Sequence, residues 1–495
     1  MKKRLLSAAL ALAMVLTLLP VSAFANTQGT TAPVKGTQVT YASNDVVDPA
    51  DRATVLVNKG NWYWIDRTDP SNLVYHTVSS GVVASGSATS GGAWYANAYD
   101  AYAANHSQVV LIGNQTDASN FPLERSFTID ANGHTLAYSY TVQKNAVLTI
   151  KDSSATKSKP TVGSGITLNT TGTTNGSIGR VVLEDVVLNG SITCTDFTTS
   201  SANATENGAT VVLKNANTGN VELTGGASST GGTVYVSGGS QVSGIVLVHG
   251  SSTGPYSGTN SSAYITGTGT AVGNVLIYQT SNTGNTVYVG GGAAVTGKID
   301  IGQTSGATVK VDGEGSSVGA TGTDTTCGIF VTQAQAGGKI DVGTTSSNVT
   351  IGSINLNSPG GGVINATSAR ITNATDKKGV VLNGYGTKLT AVGSYLGSVY
   401  IADGDPDQAA PEVSITGRKY YGSPEASASK VEFGATAKTV NVTLNQDAYL
   451  TSSLSLTAAA ATMAAINGSR VGGDVSLNGG TLTLSGSSQY GVQID

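Results

Sequence analysis

A phrase in the middle third of the chain returns almost unchanged 53 residues later. GGTVYVSGGSQVSGIVLV at 231–248 aligns without a gap on GNTVYVGGGAAVTGKIDI at 284–301, setting Tyr235 on Tyr288, Val242 on Val295 and Val248 on Ile301. Looser copies begin at Ser262 (SAYITGTGTAVGNVLIY) and at Gly306 (GATVKVDGEGSSVGATG). Self-similarity at a period of roughly 20–30 residues marks a solenoid, whose units bury their apolar faces only against one another.

The alternation within each copy says how the unit is built. Val287 and Val289 point one way and Tyr288 the other, the period of two that a strand imposes. Val295 follows a Gly-rich corner, and Ile299 and Ile301 form a second inward pair with Lys298 and Asp300 outward. Each coil thus gives about five β-branched side chains to a central stack, and Gly at the corners supplies positive φ. At ~22–25 residues per coil, 126–495 makes roughly 15 coils and a rod of ~70–80 Å. The fold class is all-β, a β-solenoid of stacked parallel strands; the right hand of the parallel β-helix is what the resemblance given below implies.

Proline usage agrees with this. Between Val162 and Asp405 only Pro255 and Pro359 occur, each in a Gly/Ser corner where no ladder hydrogen bond is lost. Pro406, Pro411 and Pro424 then cluster, so 403–428 is expected to be an irregular, loop-rich insertion. Coils resume at 431–444 and 471–484. The Ala-rich piece 457–466 is either a short helix or a coil wall.

The N-terminal region differs in texture. Lys2, Lys3 and Arg4 precede an apolar run from Leu5 to Leu19, and Ala23-Phe24-Ala25 gives a small-x-small pattern. That is a secretory signal peptide over 1–25 with cleavage expected before Asn26. The run is too short for a membrane span, which needs about 20 apolar residues. A flexible leader at 26–50 and a cap region at 51–106 follow. In the cap, 53–66 reads as strands about a turn at Asn58–Asn61. The stretch 93–105 reads as an amphipathic helix with Trp94, Ala98, Ala101 and Tyr102 on one face and Asn97 and Asp100 opposite. A solenoid needs such a cover for the open end of its core.

The coils of 107–495 open with SQVVLIG (107–113), and the phrase TIDANGHTL (128–136) then carries a resemblance. It resembles the "-LDLNGHTL-" entry phrase of right-handed parallel β-helices in secreted and surface proteins of Gram-positive bacteria, adhesin-like proteins of pectin-lyase-like fold. In that family an Ala-rich helix precedes the phrase, as 93–105 does here, and a "-LTI-D-" coil follows, as Leu148-Thr149-Ile150-Lys151-Asp152 does. The match covers about 60 residues and implies fold and export rather than activity.

Composition narrows the function classes. Without the three leader cations the chain keeps 23 basic against 30 acidic residues, too few and too balanced to hold nucleic acid. Charged residues are only 11% of the chain, less than half the usual ~25%. Cys194 and Cys327 lie 133 residues apart, five or six coils. That separation of ~25–30 Å forbids a disulfide, so both are expected free and packed as small buried hydrophobes.

Parallel β-helices also include polysaccharide lyases and hydrolases. Hydrolysis of a glycosidic bond needs two carboxyl groups flanking it. The coils contain no Asp-Asp pair, and His76, His106, His134 and His249 are scattered. A non-catalytic protein is expected. The Lys and Asp of GKIDIG (297–302) and GKIDVG (338–343) read as a ligand-contacting ladder or, more simply, as solvated neighbours within a coil. Asp403, Asp405 and Asp407 resemble the start of a calcium loop, but Gln408 and Ser414 stand where an EF-hand needs Gly and Glu. A looser calcium site with Glu412 competes there with a polar turn. Trp62, Trp64, Tyr75 and Trp94 are candidates for sugar stacking, against the simpler reading that they form the core of the cap. Thr and Ser columns suggest crystal-surface recognition only if coils are regular, and the Tyr235–Tyr264 and Tyr264–Tyr288 intervals of 29 and 24 argue that they are not.

The expected function is a secreted or surface-held stalk or adhesin, monomeric, meeting a surface glycan or protein. The alternative is a carbohydrate-binding or polysaccharide-degrading β-helix. No polar cap is evident after the last coil, so end-to-end contact through the C-terminal coil is a further expectation.

Overall fold

The structure, a computed structural model, describes residues 54–494 apart from short connecting stretches, the longest of them 170–178, 196–208 and 250–260. The segments 1–25 and 26–50, expected to be a signal peptide and a flexible leader, lie outside the described residues. Two compact units divide the chain, one formed by 1–140, 147–164 and 184–187, the other by 141–146, 165–183 and 188–495.

In the first unit the cap strands are antiparallel. Thr54–Asn58 turns directly into Asn61–Asp66, and Val74–Val78 pairs on the other side of it. Val82–Ser87 pairs with Gly91–Tyr95 and also with Gln108–Leu111, the first strand of the coils. Gln108–Leu111 is in turn parallel to Phe127–Asp130, and that strand to Val147–Lys151. The antiparallel strand therefore occupies the edge at which the parallel stack begins, so the first rung does not present a bare row of peptide groups.

The helix is shorter than the periodicity suggests. It runs Ala98–Ala103, and Asn97 caps it by accepting the Asp100 N–H at 2.8 Å. Trp94 belongs to the preceding strand, where Gly91 and Gly92 let the chain join the cap sheet. Apart from Trp94 the expected apolar face is present: Ala98, Ala101 and Tyr102 are buried while Tyr99 and Asp100 face solvent. The Tyr102 ring meets Phe121 and Phe127 edge-on at 5.3 and 5.2 Å. Its hydroxyl accepts the Glu124 N–H at 2.7 Å, and the Arg125 guanidinium sits 3.9 Å from the ring centroid. These contacts fix the helix on the first coils.

The entry phrase works as a corner. Asp130 accepts N–H bonds from Asn132 and Ser153, and Asp152 from Gly133 and Ser154, at 2.8–3.1 Å. Each carboxylate thus satisfies one donor of its own coil and one of the adjacent coil. Asn132, with φ of 47°, makes the left-handed turn and donates its side-chain N–H to the Leu111 carbonyl.

The second unit is a parallel β-helix with three strand-bearing faces. On the first face an unbroken parallel ladder runs from Thr210–Lys214 through Thr233–Ser237, Ser262–Thr266 and Thr286–Gly290 to Thr481–Ser485. Val236, Ile265, Val289, Val311 and Val342 lie in register along it, each with no exposed surface. The second face stacks Ile245, Val275, Ile299, Ile329 and Ile354 in the same way. A third column, Val272, Val295, Val318, Ile351 and Ile371, closes the interior. The inward and outward assignments read from TVYV and GKIDI therefore hold.

One corner explains the glycine content. The residue that follows successive first-face strands has positive φ: Asn215, Gly238, Gly267, Gly291, Gly313, Gly343, Ser368 and Gly393. At Gly313, φ is 83° and an added Cβ would lie 2.6 Å from the Gly291 nitrogen. An L side chain there meets both backbone strain and a collision.

Two expectations need correction. Neither Cys194 nor Cys327 forms a disulfide, and Cys194 is buried in the second-face column. Cys327, however, is half-exposed at a corner rather than packed inside, because Gly328 and not Cys327 begins the next strand. The segment 403–428 is also not wholly irregular. Glu412–Thr416 is a regular first-face rung, and the carbonyl of Pro411 just before it accepts the Asn441 N–H at 2.9 Å. The prolines fall outside that strand, and Lys419–Tyr420 and Ser423–Pro424 form a small antiparallel hairpin. The strand Met463–Asn467 shows the latter part of 457–466 to be coil wall.

Alternation makes adjacent positions unequal. Ile340→Ala is expected to cost about 2–5 kcal/mol by leaving a cavity, and Lys339→Ala beside it under about 1 kcal/mol. Denaturant unfolding midpoints of the two variants check this, and equal shifts would contradict the assigned orientation.

Candidate functional site

The strand register places some of the residues singled out in the sequence. Trp62 and Trp64 lie in Asn61–Asp66, where the register pairs Trp62 with Val78, Trp64 with His76 and Ile65 with Tyr75. Tyr75 thus occupies a position of opposite parity to the two tryptophans. Trp94 is 8% exposed. Asp403, Asp405 and Asp407 lie outside the described residues, and among those described no group of three or more His, Cys, Asp or Glu could hold a metal ion.

The charged repeats form ion pairs along their own strands. Lys298 meets Asp300 at 2.8 Å, Lys310 meets Asp312 at 3.4 Å and Lys339 meets Asp341 at 2.7 Å. Alternation puts i and i+2 on the same outer face, so the pairs follow from strand geometry alone. The hydrogen bond from Lys298 to Asp300 holds that ammonium above the ordinary lysine range, against a smaller opposing effect of burial. Burial, and then the Asp300 charge, likewise raise the Tyr278 hydroxyl.

Tyr235, Tyr264 and Tyr288 stand in one outer column of the first face, strand on strand. The unequal sequence intervals leave this register intact because the connecting segments absorb the difference. The face is regular, contrary to expectation, but its chemistry changes along the column to Lys310, Asp341 and Asn365. It offers no uniform hydroxyl array. Tyr235 and Tyr264 stack with centroids 5.1 Å apart and planes 11° apart. Each ring turns one face to the other, and Tyr235 remains exposed. Tyr288 leaves the stack and covers Gly290.

The third face carries a concave site. Its outward column runs Ser317, Thr350, Arg370 and Tyr395 on successive coils. Around these residues lies a depression of about 220 Å³, with Val349, Ala369, Ser394 and Ser427 as buried parts of its wall. The Arg370 guanidinium is 5.5 Å from the Tyr395 ring centroid, within the ~6 Å range of cation–π attraction. Ser394 and Ser427 are committed to the coil, accepting the Ala369 and Tyr449 N–H groups at 3.0 and 3.2 Å. Among the described residues, the side chains of Asn348, Thr350 and Ser368 make no hydrogen bond and Arg370 makes no ion pair. The arrangement can bind a small polar group. It brings together no pair of carboxyls.

Sequence reasoning passed over this site. Its signal was present: Ala369-Arg370-Ile371 alternates with Arg outward, and Tyr395 follows Arg370 by 25 residues, one coil length.

Compared with known proteins, the chain matches no family model, no curated sequence and no solved structure.

Raising the folded-state pKa of Lys298 means its pairing stabilises below the unfolded value of about 10.4 and is lost as pH climbs through the folded value. In a Tyr278→Phe background, which removes the second titrating group, Asp300→Asn should lower the thermal midpoint at pH 8. The difference should shrink above roughly pH 10.5. A gap that stays constant into the alkaline range would contradict the assignment.

Proposed function

We propose that this chain is an exported, non-catalytic β-helix displayed outside the cell, serving as a stalk or adhesin. The observation that carries the reading is the unbroken in-register ladder from Thr210–Lys214 to Thr481–Ser485 over a closed aliphatic interior. A stack of this kind gains about 4.8 Å per coil and keeps its outer face fixed. Those are the properties of a spacer or a display surface. Export rests on the leader Lys2–Ala25, and the surface role on the resemblance of TIDANGHTL to the entry phrase of surface β-helices. Among the described residues no helix is long and apolar enough to cross a membrane.

A carbohydrate-binding role is the second reading. The concave site at Arg370 and Tyr395 supports it better than Trp94 does, since Trp94 is buried.

Expression of the full chain, leader included, in a Gram-positive host tests the primary reading. The expected product is found in the medium or on the cell surface and begins at Asn26 by N-terminal sequencing. A cytosolic product that still begins at Met1 would overturn it.

A further inference from the structure

The concave site on the third face has more to say about its occupant than its polarity alone. Its volume of about 220 Å³ falls below the roughly 300–1,000 Å³ of sites for drug-sized ligands. One small ring fits; an extended oligomer would have to leave its other residues outside. The charge within the site is a single guanidinium. Among the described residues no carboxylate lies within ion-pair distance of Arg370.

Arg370 is placed by its backbone, and its side chain is exposed. Its backbone is bridged to Thr350 on one side and Tyr395 on the other, and the Tyr395 ring lies beneath its guanidinium. A planar guanidinium fork suits a carboxylate, which it can engage through two parallel hydrogen bonds. Asn348 and Thr350 on the adjoining coil and Ser368 on its own coil add uncommitted donors and acceptors. Their hydroxyl and amide groups match vicinal hydroxyls better than an apolar body. The Tyr395 ring supplies the single flat surface.

A second observation separates this site from ordinary Arg–Tyr packing. The pair recurs in reverse order where Tyr449 is in register with Arg470, the guanidinium 4.9 Å from the ring. Arg470 has a further interaction with the protein, whereas Arg370 has only its ring. The two pairs share one packing motif, and only one of them keeps its charge uncommitted.

We propose that the Arg370–Tyr395 depression binds a single sugar-acid residue, its carboxylate on Arg370 and its hydroxyls on Thr350, Ser368 and Asn348. The residue can be a free sugar acid or the end of an acidic glycan, since both present the same group to the site. This deepens the adhesive reading and rests on it only for its biological setting. The binding itself is measured on purified protein, so its failure leaves the stalk and export readings untouched.

Calorimetric or NMR titration of purified 26–495 tests this with D-glucuronate, a glucuronate-containing hyaluronan tetrasaccharide, methyl glucoside and acetate. Glucuronate and the tetrasaccharide should bind, each more tightly than methyl glucoside or acetate. Arg370→Ala should weaken that binding roughly tenfold to a hundredfold. Arg470→Ala should leave it unchanged, and Arg370→Lys should restore part of it. Far-UV circular dichroism identical to the parent will show that the variants are folded, as expected for an exposed side chain. Tighter binding of the tetrasaccharide than of glucuronate assigns the site to a glycan end, and equal binding to the acid residue alone. Acetate binding as tightly as glucuronate, methyl glucoside doing so, no binding by either acid, or an Arg370→Ala variant of full affinity would each overturn the proposal.

Discussion

The constraint on which the second unit depends is that every coil must return to the same register after a sharp turn. Peptide hydrogen bonds between coils set the spacing, and the aliphatic columns are buried only while Val stacks on Ile and Ile on Val. A one-residue slip would turn each column outward. The corner after the first face enforces the return, because Asn215, Gly238, Gly267, Gly291 and Gly313 all take the left-handed conformation there. Neighbouring hydroxyls reinforce it. Ser240 accepts the Ala216 N–H and donates to the Ser237 carbonyl, and Ser316 does the same between Gly292 and Asp312. Low charge and high glycine content are therefore consequences of the architecture and not signs of disorder.

The two ends of the register problem are solved by different chemistry. At the start of the coils, Val82–Ser87 adds an antiparallel strand to the first rung, and the short helix sets Tyr102 against Phe121 and Phe127. Asp130 and Asp152 then clamp the first turns through charge-assisted bonds to backbone donors. Farther along, glycine and serine take over that duty. A carboxylate also serves at one later corner, where Asp312 accepts the Gly313 N–H at 2.7 Å.

Much of this was legible in the residues. The alternation in TVYV and the offset copy at 284–301 gave the inward columns, and the corner glycines gave the turns. The length of the helix was not legible, because Trp94 has the spacing of a helical face but the hydrogen bonding of a strand. Local spacing cannot distinguish these when Gly91 and Gly92 open an alternative partner. The regular rung at Glu412–Thr416 was hidden by prolines that flank it without entering it. The Arg370 site was missed for a different reason: its residues are one coil apart in sequence, and only a register places Thr350, Arg370 and Tyr395 side by side. Functional surfaces on a solenoid are read across coils, whereas sequence motifs are read along them.

The stack itself is the claim on which the columns, the corner and the concave site all rest. Electron–electron distance measurement between spin labels tests it directly, using a Cys194→Ser, Cys327→Ser background and label pairs on the outer first-face column. Tyr235 and Asp341 are four register steps apart, Tyr235 and Thr390 six. At ~4.8 Å per step the backbone separations are about 19 and 29 Å, so the second distance should exceed the first by about 10 Å. Distances that do not grow with the number of coils between the labels would contradict the parallel in-register stack.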